Sequence, residues 1–158
     1  MKNIEFKKMK REEIVQVSTL IENLFNEFIG IDYSQAGRAT FLEYISANKL
    51  EERFLKENHF FLTAQDNGKI IGIIEVRDYN HISLLFVNKK YHNKGIARTL
   101  FQKAIDLCLQ SISGPEEIEV NSSIYAEKIY QNLGFVKTQE KQQKDGIIYI
   151  PMKCKINR

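Results

Sequence analysis

The feature that most constrains this chain is a switch in hydrophobic period partway along it. Phe60–Ala64, Ile70–Val76 and Ile82–Val87 are short β-rich stretches. Asn67-Gly68 separates the first two, and this dipeptide supplies the positive φ angles of a type I′ hairpin turn. A second turn at Asp78–Asn80 leads into the third stretch, so three strands meander antiparallel. Beyond Asn88–Lys94 and Gly95 the apolar residues recur at helical spacing to about Gln110, and Ile118–Val120 is again strand-like. A strand–helix–strand crossover sets its two strands parallel. Antiparallel hairpins combined with one such crossover confine the chain to an α/β (α+β) architecture: a mixed, mostly antiparallel central sheet with helices on both faces.

The flanking segments fit that frame. Ile4–Phe6 is a short alternating stretch, and Glu12–Ile29 carries Ile14, Val17, Leu20, Ile21, Leu24, Phe25 and Phe28 at helical period, with Gly30 as a stop. Ser34 is placed to cap a second helix bearing Phe41, Leu42 and Ile45, and a further helical piece runs near Leu50–Leu55. Toward the end a helix from about Ile124 to Leu133 closes at Gly134, a strand starts at Phe135–Thr138, and Asp145-Gly146 turns the chain into Ile147–Cys154. Only two of the 158 residues are proline, and no linker or repeat intervenes. One domain, 1–158, is expected: 1–58 on one side of the sheet, 59–113 carrying the meander and its following helix, and 114–158 the last helix and hairpin.

Composition excludes several classes. A hydrophobic fraction of 43% with 27% charged residues is that of an ordinary globular chain. The longest apolar runs, Ile70–Ile74 and Leu84–Val87, fall far short of the roughly 20 residues of a membrane span. The opening MKNIEFKKMKREE has no apolar segment of a secretory signal, so a cytoplasmic protein is expected. A net charge of +3 is a mild bias, and no aromatic-plus-basic platform supports nucleic-acid binding. Cys108 and Cys154 form no C-x-x-C pair, and His59, His81 and His92 are scattered, so no metal site is expected. Cys108 falls in line with Leu100, Phe101 and Ala104, which makes it a core residue.

The chemistry concentrates in the loop after the third strand. His92-Asn93-Lys94-Gly95-Ile96-Ala97 joins a strand to a helix start, where unpaired N–H groups and the positive end of the helix dipole favour an anion such as a pyrophosphate. Gly95 allows close backbone approach, and Lys94 and Arg98 add positive charge. Glu75, a carboxylate among isoleucines, is the second anomaly. Alternation puts Ile71, Ile73, Glu75 and Arg77 on one face, so either a structural ion pair with Arg77 or a base of raised pKa explains it.

Ile82–Leu100, ISLLFVNKKYHNKGIARTL, resembles motif A of the GNAT superfamily, the GCN5-related N-acetyltransferases. Gly95 and Ala97 match that motif, and His92 stands where arginine or glutamine is usual. Val120–Phe135, VNSSIYAEKIYQNLGF, resembles motif B, with Ala126 and Tyr130 at the motif's spacing and Ser123 where many relatives carry asparagine. Gly146–Lys153, GIIYIPMK, is similar to the last strand of many bacterial members. The resemblance spans about Phe60 to the C-terminus.

The resemblance implies a GNAT fold with a splayed parallel strand pair, Ile82–Val87 and Ile118–Val120. It implies acetyl-CoA as cosubstrate, no metal, and direct acetyl transfer to a primary amine of a small molecule or protein. A bulge near Leu85, Phe86 and Val87 is expected to free backbone groups for the pantetheine arm, with the pyrophosphate on the amides of Asn93, Lys94, Gly95, Ile96 and Ala97. His92, Arg98 and Ser123 complete the cofactor side. Tyr130 is the implied acid toward the CoA sulfur; for the base, Glu75, Glu119 and a water chain remain open. Phe25, Phe28 and Tyr33, with Ile29, Asp32 and Phe41, are expected to wall the acceptor pocket. A monomer or homodimer is expected. The alternative is a non-catalytic acyl-CoA-binding domain on the same fold.

Overall fold

The computed structural model describes residues 3–112 and 114–156. Seven strands lie in the order β1-β2-β3-β4-β5-β8-β6, and β7 pairs with β8 off that path. They are β1 (Ile4–Lys8), β2 (His59–Asp66), β3 (Lys69–Arg77), β4 (His81–Val87), β5 (Glu117–Ser122), β6 (Val136–Lys137), β7 (Gln142–Lys144) and β8 (Ile147–Lys155). Only β4 and β5 run parallel among the described pairs. The helices are α1 (Ile14–Leu24), α2 (Gln35–Tyr44), α3 (Ala47–Phe54), α4 (Ile96–Gln110) and α5 (Glu127–Leu133).

The turns are set by local chemistry. Asn67 and Gly68 both hold positive φ, 50° and 83°, as a type I′ hairpin requires. Asp78 and Tyr79 do the same between β3 and β4. Ser34 caps α2 by accepting a hydrogen bond from the Gly37 amide at 3.0 Å.

Each sheet face buries a separate core. On one side Ile71, Ile74, Val76, Ile82, Ile118 and Val120 pack with Leu100, Phe101, Ala104 and Cys108 of α4. On the other, Ile70, Ile73, Phe61 and Leu84 pack with Ile14, Val17 and Ile21 of α1 and Leu50 of α3. Full burial of such side chains stabilises by about 1.5–3 kcal/mol each, before entropy is counted. Cys108 is fully buried and burial pushes its thiol up to about 12, as a core residue should behave.

Three expectations are corrected here. Ile71 lies on the α4 face, not with Ile73 and Glu75, because Ile70 and Gly72 pair with consecutive β2 residues, Gln65 and Ala64, and leave Ile71 as the extra residue of a bulge. The helix across Glu12–Ile29 is not uniform: a 3-10 turn (Arg11–Glu13) precedes α1, and a wider π turn (Phe25–Ile29) and a 3-10 turn (Gly30–Asp32) follow it. The last helix starts at Glu127 rather than Ile124, and β7 is an additional strand.

The start of α2 rests directly on the β7–β8 turn. The Ser34 amide donates to the Gly146 carbonyl at 3.3 Å, and a Cβ on Gly37 would lie 2.2 Å from that same oxygen. Gly37→Ala therefore forces α2 and the hairpin apart. Overpacking of this kind costs about 1–3 kcal/mol, and in a domain this size each kcal/mol lowers Tm by about 2–4 °C. A thermal melt of Gly37→Ala equal to that of the parent protein would contradict the contact.

His81 yields a second prediction. Burial, with Arg77 nearby and Asp78 opposing, pushes its imidazole down from 6.5 to about 4. Below pH 6.5 the unfolded chain takes up a proton that the folded chain refuses, so this contribution is present above pH 6.5 and is lost as pH falls toward 4. His81→Asn is expected to show a smaller fall in Tm between pH 7 and pH 4.5 than the parent protein. Parallel curves would show that His81 titrates alike in both states.

Candidate active site

The site originates where two strands part. β4 and β5 pair at only two positions, His81 with Glu119 and Ile82 with Val120. Beyond them β5 continues against β8 through Asn121 and Ser122, while β4 stays paired with β3 to Val87. The gap opens into two chambers.

The outer chamber encloses about 440 Å³. Leu85, Phe86 and Val87 of β4 form one wall, and Tyr125, Ala126, Ile129, Asn132 and Leu133 the wall opposite. His92, Asn93, Gly95, Ile96, Ala97 and Arg98 form one end, and Leu24, Phe28 and Ile29 cover it from the α1 side. Asn93 and Gly95 hold φ of 62° and 79°, a left-handed path that α4 follows at once. A Cβ on Gly95 would meet nothing within 4 Å, so the backbone stands open at the first turn of a 15-residue helix. The first amides of that helix have no intrahelical acceptor, and its dipole is positive there. Arg98 and His92 line this chamber and, among its described lining residues, no carboxylate does. Arg98 also donates to the Asn132 carbonyl at 2.6 Å, linking α4 to α5.

The inner chamber is smaller, about 70 Å³, and shares Ile29, Leu85, Phe86 and Ala126 with the outer one. Tyr33, Phe41, Ser83, Leu84, Val120, Asn121, Ser123 and Tyr130 complete it. Four phenols face the chambers: Tyr91, whose hydroxyl donates to the Asp66 carboxylate, and Tyr130, Tyr33 and Tyr125. Burial raises the pKa of Tyr130, of Tyr33 with help from Asp32, and of Tyr125 with help from Glu27 against Lys89. All three therefore keep their protons at neutral pH and can donate hydrogen bonds.

Most cofactor-side residues expected from sequence line these chambers, with differences in detail. Lys94 lines neither and sits 5.6 Å from the Tyr91 ring. His92 bonds through Nε2 to the Val87 carbonyl at 2.7 Å, which commits that nitrogen within the protein. The Ser123 hydroxyl accepts from the Ala126 amide at 3.1 Å and so shapes the turn into α5. The expected bulge at Leu85–Val87 lies instead at Ser83: Glu75 pairs with Leu84 and Val76 with Ile82, leaving Ser83 extra. Leu85–Val87 are freed toward the cleft by the parting from β5, not by a bulge.

On the acceptor side Phe28 and Tyr33 reach the chambers, whereas Phe25 is fully buried behind them. Phe25 stacks on Phe41 at 4.3 Å and meets Tyr33 edge-on at 5.1 Å. Phe28 stacks on Tyr125 at 5.0 Å, joining the π turn after α1 to the approach to α5 across the outer chamber. Tyr125, Asn132, Asn121 and Ser83 also line the chambers and are not among the residues expected from sequence. The one available signal was Ser83, a hydroxyl inside an otherwise apolar strand.

Neither candidate base lines a chamber. Glu119 is exposed, and Glu75 is fully buried on the α1–α3 side. Arg77 is exposed and is not the partner of Glu75. The partners are Arg53, whose Nε donates to Oε2 at 2.8 Å, and His59, whose Nδ1 lies 2.9 Å from the same oxygen. Arg53 also donates to the Tyr44 carbonyl at 2.9 Å and lies 3.8 Å over the Tyr44 ring. A distant residue wins because α3 carries Arg53 inward, while Arg77 ends its strand in solvent.

The model of the acetyltransferase (GNAT) domain family matches residues 29–156. The chain belongs to the GNAT acetyltransferase family. Membership implies an acyltransferase, and the parted strands are the family's fold in this chain. A GCN5-related N-acetyltransferase structure from Rhodopseudomonas palustris superposes with a TM-score of 0.82 at 18% identity, covering 99% of this chain and 98% of its own. The PaiA N-acetyltransferase of Thermoplasma acidophilum, solved in complex with coenzyme A, gives 0.80 at 21% identity, with 98% and 99% covered. A UPF0039 protein of Schizosaccharomyces pombe is 26% identical over 112 residues, 68% of this GNAT chain and 74% of its own.

Removing one partner of a buried ion pair strands the other charge, at about 3–5 kcal/mol. Arg53→Met is expected to lose that much in urea unfolding, and Arg53→Met with Glu75→Leu to recover most of it. A single variant within about 0.5 kcal/mol of the parent protein would show that the pair holds nothing together.

Proposed function

We propose that this chain transfers the acetyl group of acetyl-CoA to a primary amine of a small molecule or a protein. The observation that carries the reading is the continuity of the cleft. An amide-rich helix start with an open Gly95 stands at one end, and a buried phenol, Tyr130, at the other. The donor set suits the group. The first-turn amides of α4, with Arg98 beside them, favour the pyrophosphate, and the apolar walls from Leu85–Val87 and Ile129 suit the pantetheine arm. The bound cosubstrate would supply an acetyl thioester, and the chain's residues do the rest.

In this reading the Leu85–Val87 edge orients the arm so that the thioester lies in the inner chamber, where a near-attack geometry replaces a collision in solution. Tyr130 gives its proton to the departing sulfur, since the phenol is protonated at neutral pH and lines the inner chamber. Phe28, Tyr33 and Phe41 receive the acceptor. Glu75 takes the proton lost by the amine, and its distance from the chamber requires a link between them.

The test is a panel of amines offered with acetyl-CoA, reading free thiol, run on the parent protein and Tyr130→Phe. That change deletes one hydroxyl and leaves the ring against Phe135, 5.3 Å away. The expected result is turnover with at least one amine, and a fall of about a hundredfold in kcat for Tyr130→Phe with CoA affinity retained. Full kcat in the variant would remove Tyr130 from the chemistry. CoA binding with no turnover across the panel would favour the non-catalytic acyl-CoA-binding reading.

A further inference from the structure

The loop that launches α4 is tied down before it reaches Gly95. The Asn88 amide donates to the Ile71 carbonyl at 2.7 Å. The Asn88 side chain caps the short turn Lys89–Tyr91, its Oδ1 accepting from the Lys90 amide at 2.9 Å. His92 Nε2 bonds to the Val87 carbonyl at 2.7 Å. These bonds fix the loop to β3, to β4 and to itself. Two others reach further. Lys89 pairs with Glu27 at 3.1 Å, but both side chains are exposed, and such a pair holds weakly. The Tyr91 hydroxyl donates to the carboxylate of Asp66, the last residue of β2, beside the Asn67-Gly68 turn.

The Tyr91–Asp66 bond is the stronger of these two, because donation to a carboxylate is charge-assisted and the pair is partly buried. Tyr91 lines the outer chamber with His92 and Asn93, and Lys94 Nζ lies 5.6 Å from the centre of its ring. Only Asn93 and Lys94 separate His92 from Gly95. A shift of Tyr91 is therefore carried at once to Asn93 and Gly95, the two left-handed residues that set the path into α4. The β2–β3 hairpin is already held by its own ladder and turn, so the bond serves the loop more than the hairpin.

The geometry points to Tyr91 as a positioning residue for the pyrophosphate of CoA: tied to Asp66, it holds the Asn93–Ala97 backbone in the path that aims the first amides of α4 at the phosphates. This inference rests on the acetyl-CoA reading above. The one proton of the Tyr91 hydroxyl is committed to Asp66, so Tyr91 acts through the loop and takes no part in the acetyl transfer itself. A loop ordered in advance loses less freedom when the ligand arrives, and the ligand binds more tightly for it. The β2–β3 hairpin thereby contributes to cofactor binding through Asp66, although no hairpin residue is among the described lining residues of either chamber.

Two ligands separate this role from packing: CoA, followed by calorimetry, and pantetheine, which keeps the arm and thiol but lacks the pyrophosphate and nucleotide, followed by amide NMR. Tyr91→Phe deletes the hydroxyl and keeps the ring. It is expected to weaken CoA about tenfold and to leave pantetheine affinity within about twofold of the parent protein. Asp66→Ala is expected to do the same, and the double variant to lose no more than either single one, as the two ends of one bond do. With an amine accepted by the parent protein, Tyr91→Phe is expected to raise KM for acetyl-CoA and leave kcat unchanged. Unchanged CoA affinity in Tyr91→Phe, equal weakening of CoA and pantetheine, or losses that multiply in the double variant overturn the inference. If the parent protein binds neither CoA nor pantetheine, the acetyl-CoA reading fails and this inference with it. If the parent protein binds CoA and Tyr91→Phe binds it equally well, only the present inference fails.

Discussion

The parting of β4 from β5 after two paired residues is the constraint on which the rest of this structure depends. A parallel pair that continued to Val87 would close the sheet and bury Leu85–Val87 against a neighbour. Because β5 diverges from β4 while staying paired with β8 through Ser122, the β4 edge faces a cleft that the two flanking segments must line. α4 starts at the mouth of that cleft because a crossover between parallel strands returns its helix over the strand ends. Ile82 and Val120, the last pair before the gap, are anchored in the core under α4, so the point of parting is held firmly.

Much of this was legible in the residues. Asn67-Gly68 and Asp145-Gly146 fixed two hairpins, because a turn with two positive φ angles has few sequences that suit it. Gly95 marked the backbone opening for the same reason. What was not legible depends on register. A bulge at Ile71 moved one isoleucine to the opposite face, and a second at Ser83 put a hydroxyl into the inner chamber. Neither bulge has a glycine or proline at the extra residue, and strand periodicity assumes that no residue is extra. The partner of Glu75 was missed for a related reason. Arg77, two residues away on its own strand, is the obvious choice in sequence, yet Arg53 arrives from a helix 22 residues earlier.

The bulge at Ser83 and the buried ion pair have one physical effect in common: they put polar groups where an apolar strand would have none. A carboxylate with no exposure, held by Arg53 and His59, stabilises weakly compared with an apolar core of the same volume. Tyr130 is the counterpart on the far side of the cleft, a phenol that burial keeps protonated. The inner chamber thus lies beside a protonated phenol, while the outer chamber carries the positive end of α4 and, among its described lining residues, no carboxylate.

The central claim is that CoA occupies the cleft made by the parted strands, and backbone amide NMR tests it most directly. Titration of isotope-labelled protein with CoA should shift the amides of Gly95, Ile96 and Ala97 and of Leu85–Val87 in a saturable manner, and leave those of β1 and α3 nearly unmoved. Saturable shifts centred elsewhere, or no saturable shift at all, would contradict it.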